Sequence, residues 1–255
     1  WEQAARAGAT LVDLSGAFAA LRESQPWIPA LDGLLPPPKE ISGSKLFFSP
    51  PAATLVACTL AAALGPLSPS RLSIVFLQPV SERGAAGIGE LESQTVNLLS
   101  FQPISQTVYD AQVAFNLLGR VGAESREQLG GARAAISRGV ARYLASRGLG
   151  TAAIPAVQLV QAPVFYSYGF TAYADAATPA DSAALEKLLV AAGISVETDG
   201  TSPSNVSVAG ESHIHVAHVE ADPSVATGWW LWGAADNVRL AAANALRIAE
   251  KLLAS

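Results

Sequence analysis

The longest apolar run of the chain, from Ala52 to Leu64, is the feature that most constrains its fold. It ends at Gly65-Pro66, and residues Leu72 to Val80 then form a run that contains several β-branched and aromatic side chains. The first run is too short to cross a bilayer and fits a buried helix, while the second fits a buried strand. Because both runs need burial and follow each other directly, they predict the core of an α/β protein.

Helical and extended patterns alternate along the rest of the chain. Apolar residues at helical spacing predict further helices over Trp1–Gly8, Gly84–Leu99, Arg126–Arg147, Asp181–Ala192 and Asn237–Leu253, with Thr178-Pro179 at the start of the fourth. Extended runs predict strands over Thr10–Leu14, Val157–Ala174, His213–Glu220 and Trp229–Trp232, the second of them as one strand or two. This alternation also indicates the α/β class.

A segment rich in proline and glycine, from Pro26 to Ser49, separates the first elements from the apolar run. These residues disfavour long regular structure, so we expect a linker that crosses between two domains. The composition of the segment therefore predicts a domain boundary near residues 36–50.

Composition and charge exclude several functional classes. The chain has 255 residues, a hydrophobic fraction of 50%, a net charge of −5 and one cysteine, Cys58. An acidic net charge without a Lys/Arg block argues against a nucleic-acid partner, and no apolar run is long enough for a membrane span. One cysteine cannot form an internal disulfide and fits a reducing compartment, so we expect a cytoplasmic protein. A start at Trp1 in a helical pattern and the lack of methionine lead us to expect that an N-terminal segment or individual residues are missing from this sequence.

Four segments carry a family resemblance when they are taken together and in order. They read ELESQTVNLL, AQVAFNLLG, QAPVFY and DNVRLAAANALRIAE, and the stretch from Gln78 to Gln94 reads QPVSERGAAGIGELESQ. In this combination the chain resembles the aspartate-semialdehyde dehydrogenase family, in particular its degenerate, Usg-type members. The resemblance implies three parts: a remnant of a Rossmann-type nucleotide-binding domain (residues 1–50), a glyceraldehyde-3-phosphate-dehydrogenase-like α+β dimerisation domain with a mixed sheet (51–236), and a C-terminal helix (237–255) that packs back on the first part.

The resemblance also implies a chemistry, in which a cysteine thiolate attacks an aldehyde, hydride passes to NADP and phosphate resolves the thioester. The position that matches the nucleophile is Ala52, in SPPAAT, and the position that matches the histidine is Tyr168, in APVFYSYG. A methyl group cannot attack a carbonyl carbon, and a tyrosine, with a reference pKa of about 10, is a poor base at neutral pH. We therefore expect no intact catalytic set in this chain.

Further positions match family residues that contact substrate or cofactor. Gln78 matches a glutamine that meets the substrate, although it could equally satisfy a local carbonyl group. Ser81, in Ser-Glu-Arg-Gly, and Asn237 match positions near the nicotinamide, so the resemblance implies that they contact NADP. The pair Asp236-Asn237 could equally cap the last helix. Gly139 stands where the resemblance implies an acidic residue. The resemblance also implies small residues in the turn after Ser81, where this chain has Glu82 and Arg83.

Two other patterns give weaker signals for anion or nucleotide binding. The predicted helix over residues 126–147 carries Arg133, Arg138 and Arg142, which could bind phosphate but which we expect on a solvated face. The glycine-rich run over residues 84–89 lacks the order of glycines found in dinucleotide-binding loops.

The histidines and the cysteine are not expected to carry chemistry. His213 and His215 would share one face of a strand, whereas His218 would lie on the other, and no carboxylate cluster accompanies them, so we expect no metal. Cys58 lies well inside the predicted helix, beyond reach of the turn at Ala52, so we expect a buried thiol.

Two functions therefore stay open. The first is a non-catalytic homodimer that acts as a structural partner or binds a small acid or a nucleotide. The alternative is an NADP-dependent oxidoreductase of amino-acid biosynthesis whose nucleophile lies elsewhere. The apolar strands predicted over Val157–Ala174 and His213–Trp232 favour a symmetric dimer interface. We expect this interface to include some of Tyr166, Tyr173, Trp229 and Trp230.

Overall fold

The computed structural model describes residues 1–38, 44–150, 154–177, 180–197 and 199–254. Within these ranges the helices are α1 (Glu2–Arg6), α2 (Ala52–Leu64), α3 (Gly84–Leu99), α4 (Leu129–Ser146), α5 (Ser182–Ala191) and α6 (Asn237–Ala254). The strands are β1 (Leu11–Asp13), β2 (Gln25–Pro26), β3 (Leu46–Phe48), β4 (Arg71–Gln78), β5 (Ala156–Gln161), β6 (Tyr168–Asp175), β7 (Ile194–Val196), β8 (Ile214–Val216), β9 (Glu220–Ala221) and β10 (Gly228–Ala235). Short 3-10 helices span Pro29–Leu31, Gly65–Leu67 and Val80–Arg83.

The strands of the described residues form two sheets. A small parallel sheet has the order β1-β3-β2, and a seven-stranded sheet has the order β5-β4-β6-β10-β8-β7, with β9 paired to β10. In the large sheet β4 and β5 are parallel, as are β7 and β8, while β6 and β10 run antiparallel to their neighbours. The predicted α/β class with a mixed sheet is therefore confirmed.

Helix α2 lies at the centre of the molecule. All of its residues are buried, and it packs against α4, α5, α6 and β4. A helix that is apolar on every side is stable only when it is enclosed on every side, because any exposed face would leave apolar surface in water. The predicted buried helix over Ala52–Leu64 is thus confirmed. None of the helices in the described ranges is long and apolar enough to cross a membrane.

The motif ELESQTVNLL on α3 holds the loop that follows this helix. The buried carboxylate of Glu90 accepts hydrogen bonds from the backbone N–H of Val108, at 2.6 Å, and the hydroxyl of Thr107, at 3.0 Å. The buried side chain of Gln94 accepts from the backbone N–H of Val113 at 2.7 Å and donates to two carbonyl oxygens of the same loop. Since buried backbone groups need partners, these two residues fix a loop that has no regular structure of its own.

The segment predicted as a linker is partly a sheet strand, which corrects that prediction. Strand β3 lies inside the segment, is fully buried, and pairs in parallel with both β1 and β2. The strand is only three residues long and follows the last proline of the segment, Pro38, so no proline interrupts it. The division of the chain into residues 1–50, 51–236 and 237–255 stays a prediction.

Other predicted elements are present with shifted bounds. Helix α4 begins at Leu129 rather than Arg126, because the side-chain amide of Gln128 donates to the carbonyl oxygens of Gly122 and Ser125 and holds the preceding residues in a loop. The single strand predicted over His213–Glu220 is replaced by two short strands, β8 and β9.

Two further predictions concern the ends of strands and helices. The run Val157–Ala174 forms two strands, β5 and β6, joined by a turn in which Ser167 is buried with a φ of 68°. Thr178-Pro179 lies outside the described residues. Helix α5 is capped by Asp181, whose carboxylate accepts a hydrogen bond of 2.6 Å from the backbone N–H of Ala184.

The position of Cys58 inside α2 gives a first testable prediction. Burial raises the pKa of the Cys58 thiol, because the thiolate would lie in apolar surroundings. We expect no modification by a bulky thiol reagent such as 5,5′-dithiobis(2-nitrobenzoate) in native buffer. One thiol per chain should react after unfolding in guanidinium chloride, which serves as the control. Rapid labelling of the folded protein would contradict the burial of this side chain.

Candidate functional site

A cavity of about 730 Å³ lies between the small sheet and the helices that cover the large sheet. One wall is formed by the loop after β1 and by Phe48 of β3, and the opposite wall by α4. The floor is formed by the N-terminus of α2 and the ends of β4 and β6. Most of the lining side chains are apolar, and the polar ones are Ser15, Thr54, Gln78, Glu82, Arg138, Arg142 and Tyr168. A concave, mostly apolar cavity with a few polar groups has the character of a small-molecule site.

The N-terminus of α2 carries the position predicted for the nucleophile. Helix α2 begins at Ala52, whose side chain is buried, and its flanking residues Pro50, Pro51 and Ala53 line the cavity. The structure therefore places Ala52, which the sequence resemblance matches to the nucleophile, beside the cavity.

Gln78 lies at the end of β4, where its buried side chain lines the cavity. Its amide donates to Oε1 of Gln161 at 3.3 Å, and the Gln161 amide donates to the backbone carbonyl oxygen of Gln78 at 2.9 Å. The two residues are directly paired in the parallel register of β4 and β5. No sequence pattern indicated a role for Gln161, although it immediately precedes Ala162-Pro163 in QAPVFY and ends a strand that is parallel to β4.

Tyr168, at the start of β6, is buried and donates a hydrogen bond to the carboxylate of Glu82. Burial and the neighbouring Glu82 charge hold the pKa of Tyr168 well above its usual value. Burial also raises the pKa of Glu82, although hydrogen bonds from Asn237 and Tyr168 act in the opposite direction. Glu82 is an exposed residue that lines the cavity.

Asn237 connects Glu82 to the turn before β6. Its Nδ2 donates to Oε1 of Glu82 at 2.9 Å and to Oγ of Ser81 at 3.1 Å, while its Oδ1 accepts from the backbone N–H of Ser167 at 3.0 Å. Asp236 caps α6, since its Oδ1 accepts hydrogen bonds from the backbone N–H groups of Val238 and Arg239. The structure thus brings Ser81, Asn237 and Tyr168 into one network around Glu82.

NADP is the cofactor that the sequence resemblance implies, and its predicted contacts are Ser81 and Asn237. Both amide hydrogens of Asn237 are used by Glu82 and Ser81, and its oxygen is used by Ser167. The Ser81 hydroxyl is also engaged with the Asn237 side chain. In this arrangement the two side chains do not fit a nicotinamide amide, which needs free donors and acceptors.

The arginines of α4 have three different environments. Arg142 donates to the backbone carbonyl oxygens of Ala19, Leu21 and Ser24 and lies over the ring of Phe48, so it is not on a solvated face as predicted. Burial lowers the pKa of Arg142. Arg133 is exposed and donates to Oε1 of Gln158 at 3.0 Å. Arg138 is exposed toward the cavity and has no hydrogen-bond acceptor or carboxylate partner among the described residues.

Two of the three histidines, His215 and His218, lie beside carboxylates outside the cavity. Nδ1 of His215 lies 3.0 Å from Oε1 of Glu197, and Nδ1 of His218 lies 2.5 Å from Oε1 of Glu186. In the ranges that the structure describes, no three metal-ligating side chains lie close together.

Comparisons with known proteins agree with this geometry. The family model "Semialdehyde dehydrogenase, dimerisation domain" matches residues 60–240. The chain is 32% identical to the USG-1 protein homolog of Pseudomonas aeruginosa, over 99% of this chain and 74% of that protein. It is 31% identical to aspartate-semialdehyde dehydrogenase 2 of Vibrio cholerae, over 72% of this chain and 54% of that protein.

Solved structures lead to the same family. The structure of a probable aspartate-semialdehyde dehydrogenase from Pseudomonas aeruginosa superposes with a TM-score of 0.81 at 32% identity, over 99% of this chain and 75% of that chain. Aspartate semialdehyde dehydrogenase II from Vibrio cholerae, at 24% identity and a TM-score of 0.83, shows the same fold. The family resemblance predicted from the sequence is therefore confirmed, and the chain belongs to the semialdehyde dehydrogenase family.

Proposed function

We propose that this protein is a non-catalytic member of its family, which forms a homodimer and binds a small acid in the cavity. The observation that carries this proposal is the N-terminus of α2, where Ala52 presents a methyl group at the position matched to the nucleophile. Without a nucleophile the covalent route through a thioester is closed, whereas the cavity and its polar groups still suit binding.

No neighbouring side chain replaces the missing thiol. Cys58 is fully buried in the interior of α2. The hydroxyl of Ser49 donates to the carbonyl oxygen of Ala241 at 2.9 Å and accepts from Nδ2 of Asn244 at 3.0 Å, so it is engaged in the core. Thr54 lines the cavity, but no hydrogen bond joins its hydroxyl to a base among the described residues. A hydroxyl needs an adjacent base before it can attack a carbonyl carbon.

Tyr168 does not supply the base that the family's histidine would. Its hydroxyl already donates to Glu82, and its raised pKa keeps it protonated at neutral pH. Glu82 could accept a proton, but its carboxylate is occupied by donors from Asn237 and Tyr168. These groups form a structural network around the cavity rather than a poised acid–base pair.

The alternative function is an NADP-dependent oxidoreductase of amino-acid biosynthesis. It is supported by the similarity of the chain to aspartate-semialdehyde dehydrogenases. This alternative needs a nucleophile and a cofactor site supplied by other residues, so an assay of the protein decides between the two functions. A cytoplasmic location remains a prediction.

The outer face of the large sheet supports a homodimer. Trp230 is 45% exposed on β10, and its ring packs against that of Tyr173 on β6 with 4.7 Å between centroids. Trp232 lies on the same face and is also exposed. Trp229 is 5% exposed and faces the core, so it is not available to a partner. A continuous face of apolar and aromatic side chains is typical of an interface, and two-fold pairing is the commonest way to cover it.

The missing nucleophile predicts the result of an activity assay. We expect purified full-length protein to show no phosphate-dependent reduction of NADP with aspartate semialdehyde, with aspartate-semialdehyde dehydrogenase 2 of Vibrio cholerae assayed in parallel as the control. Ala52→Cys combined with Tyr168→His should not restore turnover, because Glu82 and Gly139 also depart from the family pattern. A steady-state rate of about 1 per second or more for the unmodified protein would show that it is an enzyme.

The Glu82 network predicts a pH-dependent stability difference. Because the pKa of Glu82 is raised in the fold, the folded protein binds this proton more tightly than the unfolded chain does. Below the pKa that Glu82 has in the unfolded chain, its carboxyl group is neutral in both states. As the pH rises from there through the higher pKa of the folded state, ionisation lowers the free energy of unfolding. Glu82→Gln removes this cost and retains an oxygen that can accept from Asn237.

The difference in Tm between Glu82→Gln and the unmodified protein should therefore grow in favour of the variant as the pH rises above about 4, the ordinary pKa of a glutamate. Thermal unfolding followed by circular dichroism measures it. Glu92→Gln, on the exposed surface of α3, is the matched control and should show no such trend. A difference that stays constant or shrinks would mean that Glu82 ionises in the fold without cost.

The outer sheet face predicts the oligomeric state. We expect a homodimer at micromolar concentration, with on the order of 2,000 Å² or more buried in total. Trp230→Asp should shift it to monomer in sedimentation velocity, since a carboxylate would be buried without a partner. Val190→Asp, on α5, is the matched control, because Val190 is 58% exposed but lies on a helix away from this face. A monomeric unmodified protein would contradict the proposal.

A further inference from the structure

We propose that the cavity binds a monocarboxylate with an apolar body, whose acid group lies at the N-terminus of α2 between Thr54 and Arg138. This proposal rests on the proposed function, because it requires a cavity that serves binding rather than thioester chemistry.

The N-terminus of α2 is open to an anion. Its N-cap residue, Pro51, makes no side-chain hydrogen bond to the helix, and Pro51 and Ala53 both line the cavity. The first N–H groups of a helix have no partner within the helix, and the helix dipole adds partial positive charge there. An acid group in the cavity would accept from these N–H groups.

Thr54 provides an independent indication of a missing ligand. The residue is 2% exposed, it lines the cavity, and its hydroxyl has no hydrogen-bond partner within the described part of the chain. A Cβ atom added at Gly139 would lie 3.1 Å from Thr54 Cγ2 and 3.3 Å from Thr54 Oγ1, so the Thr54 side chain packs against α4. A buried hydroxyl without a partner costs free energy, which an acceptor on a ligand would recover.

Arg138 supplies the charge. It is the residue before Gly139 on α4, its side chain faces the cavity, and no carboxylate of the described residues pairs with it. Arg142, the other arginine of the cavity, is already bound to three backbone carbonyl oxygens. A free guanidinium group matches the two oxygens of a carboxylate and forms strong, charge-assisted hydrogen bonds with them.

The rest of the lining determines the body of the ligand. Away from Arg138 the walls are formed largely by apolar side chains, among them Ala19, Ala20, Phe48, Ala132, Ala135 and Ile136. A volume of about 730 Å³ is in the usual range for a ligand with a sizeable apolar body, and a short polar acid would leave these walls uncovered. Glu82 also faces the cavity, so a second carboxylate on the ligand would be repelled.

Isothermal titration calorimetry of the intact protein with three eight-carbon probes tests the ligand class. Octanoate should bind. Octanamide, which has the same body without the charge, should bind roughly tenfold or more weakly, because a hydrogen bond to a charged group is stronger than one to a neutral group. Octanedioate should also bind roughly tenfold or more weakly, because its second carboxylate would be repelled by Glu82. Equal affinity for octanoate and octanamide would overturn the role of the acid group.

Variants locate the binding site. Arg138→Gln should weaken octanoate binding by roughly tenfold or more, and Ala135→Trp should abolish it by filling the cavity. Arg133→Gln is the matched control, since Arg133 lies on the same helix and outside the cavity. Circular dichroism shows whether each variant is folded. Equal weakening by Arg133→Gln and Arg138→Gln would overturn the proposed site.

The outcomes separate this inference from the proposed function. If octanoate does not bind and the protein also lacks dehydrogenase activity, the ligand class is wrong while the non-catalytic assignment stands. If the protein reduces NADP with aspartate semialdehyde at an ordinary rate, the proposed function is wrong regardless of octanoate binding.

Discussion

The complete burial of α2 is the constraint on which the rest of the structure depends. A helix without a polar face must be covered on all sides, and here the cover comes from the large sheet through β4 and from α4, α5 and α6. The same helix begins at the cavity, with Ala52 as its first residue and Thr54 in the first turn. The packing that stabilises the core therefore also fixes the position of the candidate site.

Helix α4 connects this core to the N-terminal region. Arg142 donates to three carbonyl oxygens of the loop after β1, and the buried guanidinium of Arg147, just after α4, donates to Asp32 at 2.7 Å. A buried arginine needs such acceptors, because an unpaired charge in the interior is costly. Arg142 thus joins α4 to the loop after β1, and residues of both line the cavity.

The local sequence pattern was sufficient to predict helices and strands, but it was not sufficient to predict the hydrogen bonds that connect the residues of the site. The apolar run predicts α2 and the burial of Cys58, because both follow from hydrophobicity along a short stretch. The sequence places Tyr168 and Asn237 in the site only through family resemblance. It does not reveal that Glu82 joins them, or that Gln161 pairs with Gln78, since these contacts link residues that are distant along the chain. The solvated face assigned to Arg142 fails for the same reason, because its acceptors lie on a loop more than 100 residues away.

The replacements around the cavity are consistent with one another. A histidine base acts only beside a nucleophile that it can deprotonate, so under the proposed function, with Ala52 at the nucleophile position, a group that titrates near neutral pH is not needed. Tyr168 fills the matching position with a hydroxyl that stays protonated and donates to Glu82, and Asn237 donates to the same carboxylate. Glu82 in turn has two donors and no cation in the network. Such a set of hydrogen bonds favours one fixed geometry over proton transfer, which is consistent with the proposed binding function.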